Sequence, residues 1–148
     1  MKLSEMKNRN SGLPEGFEGV KMSWDEVKDP FTIQKVIVLE RNKTDENGQP
    51  LLFKNGPKTG QPIPDRQLAM QLIVGDKKVI VRTNSARLTS LYSGDLDREP
   101  DELNRFGDRI FYVEVPEGKM KFVPFEQKGK KDGKEMKWNI ADLEEIDE

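Results

Sequence analysis

The stretch Arg66–Tyr92, RQLAMQLIVGDKKVIVRTNSARLTSLY, decides the fold of this chain. Leu68, Met70, Leu72 and Val74 alternate with Gln67, Ala69, Gln71 and Ile73, and beyond Gly75-Asp76 the alternation resumes with Val79 and Val81 against Lys78, Ile80 and Arg82. A period of two means half-buried strands, and Gly-Asp tolerates the positive φ of a tight hairpin. At Asn84 or Ser85 the period changes. A side-chain oxygen there caps the first N–H groups of a helix, on which Leu88 and Leu91 share a face. The predicted centre of the fold is strand, strand, short helix.

Upstream, Phe31–Glu40 (FTIQKVIVLE) is rich in β-branched residues, with Phe31, Ile33, Ile37 and Leu39 on one face and Val36 and Val38 on the other. It predicts a strand buried on both sides for part of its length. Residues 1–29 carry scattered apolar positions without a period and predict an irregular arm, in which Ser23 caps a single helical turn and Trp24 packs on the domain edge. Residues 41–65 hold Asn47-Gly48, Asn55-Gly56, Gly60 and prolines 50, 57, 62 and 64, which predict a long, turn-rich, partly basic loop. Loops of that length are usually functional or disordered.

Downstream, Gly94–Asp108 predicts an acidic connector. Arg109–Val115 (RIFYVEV) and Lys119–Phe125 (KMKFVPF) predict an antiparallel pair turning at Pro116-Glu117-Gly118, with Phe111, Phe122 and Phe125 in the core. Gln127–Lys137 (QKGKKDGKEMK) has the composition of a flexible basic linker and runs into an acidic tail. The organisation is an arm over 1–29, a domain over 30–126, and linker plus tail over 127–148.

Composition excludes several chemistries. The 148 residues include neither cysteine nor histidine, which removes disulfides, thiolate catalysis, Cys/His zinc sites and histidine acid–base catalysis. No apolar run has the length of a signal peptide or membrane span, so a cytoplasmic protein with no membrane association is expected. The net charge of −2 hides an asymmetry, because residues 138–148 contain five acids and no base. Without those five acids the 25 basic residues face 22 acidic ones, and the body is net +3. Such a tail either competes with a polyanion for the body's basic surface or is a plain solvated end. Carboxylates such as Asp95 and Asp97 have no phosphate cradle beside them, so no catalytic residues, metal or cofactor are expected.

Five strands with a helix between the third and fourth match a mainly β, five-stranded Greek-key barrel of the oligonucleotide/oligosaccharide-binding (OB) type. An open α+β sheet with one covering helix fits the same order. On PFTIQKVIVLE, QLAMQLIVGDKKVIVRTNSARLTSLY, RIFYVEV and KMKFVPF, over residues 30–125, the chain resembles the OB-fold single-stranded DNA-binding proteins of bacteriophages and bacteria. The resemblance lies in strand order and the Thr/Ser-rich step into the helix, not in an invariant motif.

It implies sequence-nonspecific binding of single-stranded DNA in phage or bacterial replication or recombination, inside the host cytoplasm, by lysines and arginines on phosphates and flat side chains on bases. The residues placed for this are Arg41, Lys43, Phe53, Lys54 and Lys58 at the long loop, Arg66, Gln71, Lys78 and Arg82 on the central hairpin, and Tyr112, Lys119 and Lys121 on the last pair. The tail residues Trp138, Asp142, Glu144, Glu145, Asp147 and Glu148 are expected to dock replication or recombination partners and to reach back to the basic face through the linker. The chain ends Glu-Ile-Asp-Glu, where many bacterial members end in a terminal aromatic. A non-enzymatic, phage-encoded adaptor or inhibitor that binds proteins through sheet and tail is the alternative.

Overall fold

A computed structural model describes residues 12–14 and 16–146. The chain is mainly β. Its elements are β1 (Val20–Lys21), β2 (Phe31–Asn42), β3 (Pro64–Val74), β4 (Lys77–Thr83), α1 (Ala86–Ser90), β5 (Glu102–Leu103), β6 (Arg109–Tyr112), β7 (Lys119–Lys131) and β8 (Lys134–Glu145). They form one eight-stranded sheet in the order β1-β4-β3-β2-β6-β5, from which β7 branches to pair with β2 and β8.

The organising strand is β2. One edge pairs with β3 from Thr32↔Ile73 to Asn42↔Pro64, and the other is divided between β7 at Phe31–Thr32 and β6 at Ile37–Glu40. Between Ile33↔Leu72 and Lys35↔Gln71 the register slips, so Gln34 is an extra residue on β2. A bulge of one residue inverts the faces beyond it. Phe31 and Ile33 therefore share the larger core with Val36 and Val38, while Ile37 and Leu39 fall on the opposite face. This corrects the uninterrupted alternation expected for the strand.

The larger core gathers Leu68, Met70, Leu72, Val79, Val81 and Phe111 and is closed by Leu88 of α1. Ser85 caps this helix, accepting from Leu88 N at 3.4 Å and donating to Ala141 O at 2.6 Å, which ties α1 to β8. Leu91 does not share Leu88's burial, because it stands at the end of a helix of only five residues and points to solvent. Phe122 is half-buried between Phe31 (ring centroids 4.7 Å) and Trp24 (6.5 Å), and Phe125 is exposed beneath Arg87 rather than in the core.

The sheet is not closed. In a five-stranded barrel the free edge of β4 would meet the last long strand, but that edge is taken by the arm: β1 pairs with Val79 and Ile80 in parallel, and Met22 N donates to Ile80 O at 3.0 Å. The arm also supplies a second core. Leu13 and Phe17 are buried on Ile37, Leu39, Ala69, Ile80 and Ile110, on the face of the sheet away from the larger core.

The largest departure lies at the C-terminal end. The segment expected as flexible linker and free tail is a long hairpin, in which β7 and β8 pair from Met120↔Glu145 to Lys131↔Lys134. Asp132 (φ 55°) and Gly133 (φ 78°) lie in the left-handed region that a two-residue type I′ hairpin turn requires. The lysines of QKGKKDGKEMK disguised a strand pair whose Met136, Trp138 and Ile140 alternate with polar residues.

Candidate nucleic-acid interface

Three elements meet at the end of the sheet where β2 leaves the body. Arg41 and Asn42 end β2, Arg82 lies one residue from the end of β4 with Asn84 just beyond that strand, and the loop Asn104–Asp108 enters β6 at Arg109. Between them lies a cleft of about 510 Å³ lined by Arg41, Asn42, Arg82, Phe106, Gly107, Asp108 and Arg109. A narrower extension reaches Gln67 and Asn84.

Each wall has a local cause. Asn104 folds its loop around its own side chain: Oδ1 accepts from Phe106 N and Asp108 N, each at 2.9 Å, and Nδ2 donates to Asp108 Oδ2 at 3.0 Å and to Gly12 O at 3.2 Å. Such Asx turns stand in for backbone hydrogen bonds. Gly107 (φ 82°) completes the reversal, so Phe106 is presented at the tip of a braced loop, 59% exposed, with the Arg105 guanidinium 4.8 Å from its ring centroid. Arg82 is aligned by Gln67, whose Oε1 accepts from Nε at 2.9 Å and Nη2 at 2.6 Å. Arg109 donates to Glu40 Oε1 at 2.8 Å and to Asn42 Oδ1 at 3.2 Å.

The electrostatics favour an anion. Burial and then the like charge of Arg41 lower the pKa of Arg82, and Asp108 opposes them with a smaller influence. A guanidinium titrates too high to lose its proton in this range, so Arg82 stays charged, and the smaller part of its shift reflects the like charge of Arg41. The Arg41 side chain forms no hydrogen bond or ion pair among the described residues, its backbone being registered opposite Asp65 of β3. Asp108 lines the cleft itself, and Asp65 and Glu40 line its extension; Glu40 is shared by Arg66 and Arg109 at 2.8 Å each, and despite the cost of burying it their hydrogen bonds hold its carboxyl below the ordinary value. Two arginines and a projecting phenyl ring can hold a phosphate and stack a base.

The residues expected at a binding surface divide accordingly. Arg41 and Arg82 meet in the cleft. Arg66 is engaged by Glu40 and does not line it. Gln71 is a correction: 1% exposed, it donates to Gln34 Oε1 and accepts from Glu18 N at 2.8 Å, because the arm crosses the face on which it lies. Lys78 is ion-paired with Glu18 of the same arm. Lys43, Phe53, Lys54 and Lys58 belong to the loop after β2, which is more ordered than expected, with bridges Thr44↔Pro50 and Leu52↔Pro62; none of the four lines the cleft.

Tyr112 faces outward as expected, but its hydroxyl donates to Glu102 Oε1 at 2.9 Å; desolvation and that carboxylate push its pKa up to about 12. Lys119 and Lys121 share a face of β7 away from the cleft. Of the tail residues, Asp142 holds Arg87 at 2.9 Å, and Glu144 and Glu145 stand opposite Lys121 and Met120 in the hairpin. A strand so paired cannot reach back to the basic face, which removes the expected self-inhibition by these acids. Trp138 is exposed on the hairpin, and Asp147 and Glu148 lie outside the described residues.

Sequence reasoning missed Phe106 and Arg109 as site residues. The signal was present, since Asn104-Arg105-Phe106-Gly107 sets an aromatic between a cation and a glycine, and Phe53 likewise stands beside a cation, Lys54, in a glycine-bearing loop. No protein-family profile, curated protein or solved structure matches the chain.

Proposed function

We propose that this protein binds single-stranded nucleic acid without sequence preference, and that it does so in the arginine cleft. One observation carries the reading: Arg41 and Arg82 set like charges side by side in one cleft, beside a half-exposed phenyl ring held on a braced loop. Phosphates relieve that repulsion while releasing counterions, and an unstacked base lies on Phe106, chemistry that needs no base-specific contact. The order β2, β3, β4, α1, β6, β7 supports relating the chain to the five-stranded OB barrel, here with β4's edge covered by the arm. The role is binding rather than catalysis, and a service to single strands exposed in replication or recombination fits it.

Fluorescence anisotropy with labelled oligo-dT and a duplex of equal length tests this. Oligo-dT binds more tightly than duplex and weakens steeply with salt; equal affinity for duplex would reduce the interaction to general charge attraction.

A second reading is favoured by a groove of about 550 Å³ elsewhere, with Leu91, Val115, Met120 and Leu143 in its wall and four acids, Asp95, Glu114, Glu117 and Glu145, around it. It suits a basic, apolar peptide and supports the protein-binding adaptor. Capture of such peptides with no binding of oligo-dT would favour it.

A further inference from the structure

The β7–β8 hairpin outruns the sheet that anchors it. Its base packs into the larger core through Met120, Ala141, Phe122 and Leu143, whereas almost every residue from Pro124 to Asn139 is exposed. A lone two-stranded ribbon is marginally stable in water, so apolar side chains held out on one call for an explanation.

The register sorts the ribbon into two faces, because directly opposed residues share a side. One side holds Glu126, Lys128, Lys130, Glu135 and Lys137, a mixed-charge surface with Lys137 3.7 Å from Glu126. The other sets Phe125 opposite Ile140, Trp138 opposite Gln127, Met136 opposite Gly129, and Lys131 opposite Lys134. No carboxylate lies on that side from Phe125 to the turn. Its base is closed by Arg87, which lies 3.7 Å from the Phe125 ring centroid and holds Asp142. Trp138 is 42% exposed and rests on Gly129, where an added Cβ would stand 2.5 Å from the six-membered ring. The indole is thus supported from beneath by backbone and open above, with cations along the same face.

We propose that this face is a second contact for the single strand, with Trp138 as a stacking platform and Lys131 and Lys134 on the flanking phosphates. The proposal rests on the reading of the arginine cleft as a single-strand site and extends it: the strand runs from the cleft onto the ribbon. A purely apolar partner needs no lysines. A face that carries an indole and cations but excludes carboxylates suits a polyanion with flat rings.

The test uses the full chain carrying Trp24→Phe, which leaves Trp138 as the single tryptophan. Its emission is followed on adding oligo-dT of about 6 and about 16 nucleotides, within the span that one such domain covers, with anisotropy as the independent measure of binding. The longer oligonucleotide quenches Trp138. Trp138→Ala weakens that oligonucleotide at least about 5-fold, the loss of one stacked base. Trp138→Phe retains most of the affinity, and Gly129→Ala, which displaces the indole from its support, weakens binding in a chain with an unchanged circular dichroism spectrum. Arg41→Ala weakens both lengths.

Tight binding of the longer oligonucleotide with Trp138 emission and Trp138→Ala affinity unchanged would overturn this inference and leave the cleft reading standing. No binding of either length by anisotropy would overturn the cleft reading and this one with it. Trp138 emission that changes with protein concentration alone, together with a dimer in sedimentation that Trp138→Ala dissolves, would make the face a self-association surface and also overturn the proposal.

Discussion

Replacing Arg41 by alanine removes a charge and almost nothing else. The side chain is exposed at the end of β2, makes no bond among the described residues, and raises the electrostatic cost of its neighbour Arg82. Its loss leaves thermal stability unchanged or slightly raised. Binding responds differently, because each phosphate neutralised on a single strand contributes about 0.7 to the slope of log K against log salt. If Arg41 holds one phosphate, the variant's slope is shallower by about 0.7. Between about 50 and 200 mM salt the variant then loses about 2.6-fold less affinity than the parent. Anisotropy with oligo-dT at several salt concentrations measures both slopes. Arg66→Ala is the contrasting control, since Arg66 is committed to Glu40 and its loss lowers stability while leaving the slope unchanged. A slope unaltered by Arg41→Ala, or one altered more by Arg66→Ala, would refute the assignment of the phosphate site to the cleft.

Phe106→Ala weakens oligo-dT binding by about 1 to 3 kcal/mol, one stacked base, without lowering the melting temperature, and Phe106→Tyr restores it; titration calorimetry with a parallel thermal scan reads both. Phe17→Ala opens the second core, where the ring is almost fully buried, and costs about 3 to 5 kcal/mol in urea unfolding. Glu40 has a folded pKa below its ordinary value, so the stability it contributes is complete above the ordinary carboxylate range and is lost as pH falls through the folded value. Thermal scans across the acid range find Glu40→Gln less stable than the parent near neutrality, with the gap narrowing as pH drops.

The parts of the fold that were legible in the sequence are those with an unbroken period. The alternation of Leu68, Met70, Leu72, Val79 and Val81 gives the central hairpin, and Ser85 gives the helix cap. The bulge at Gln34 was hidden because β2 is apolar on both faces, so an inverted phase looks the same in composition. The ribbon was hidden for the opposite reason: its solvent-facing lysines outweighed the alternation of Met136, Trp138 and Ile140, and within so basic a stretch the turn signal of Asp132-Gly133 was submerged. Half of the site was legible, through Arg41 and Arg82 at strand ends. Gln71 and Lys78 follow the alternation rule and are nonetheless engaged by the arm, because local periodicity cannot show that a segment some 50 residues away lies across the same face.

The most direct test of the central claim is a titration of the ¹⁵N-labelled protein with oligo-dT, following backbone amides and arginine Nε signals. The account predicts that the largest shifts cluster at Arg41–Asn42, Arg82–Asn84 and Phe106–Arg109, with the Arg82 Nε among them. Shifts confined to the acidic groove around Leu91, Glu114 and Glu117, or a spectrum that does not change at saturating oligonucleotide, would contradict it.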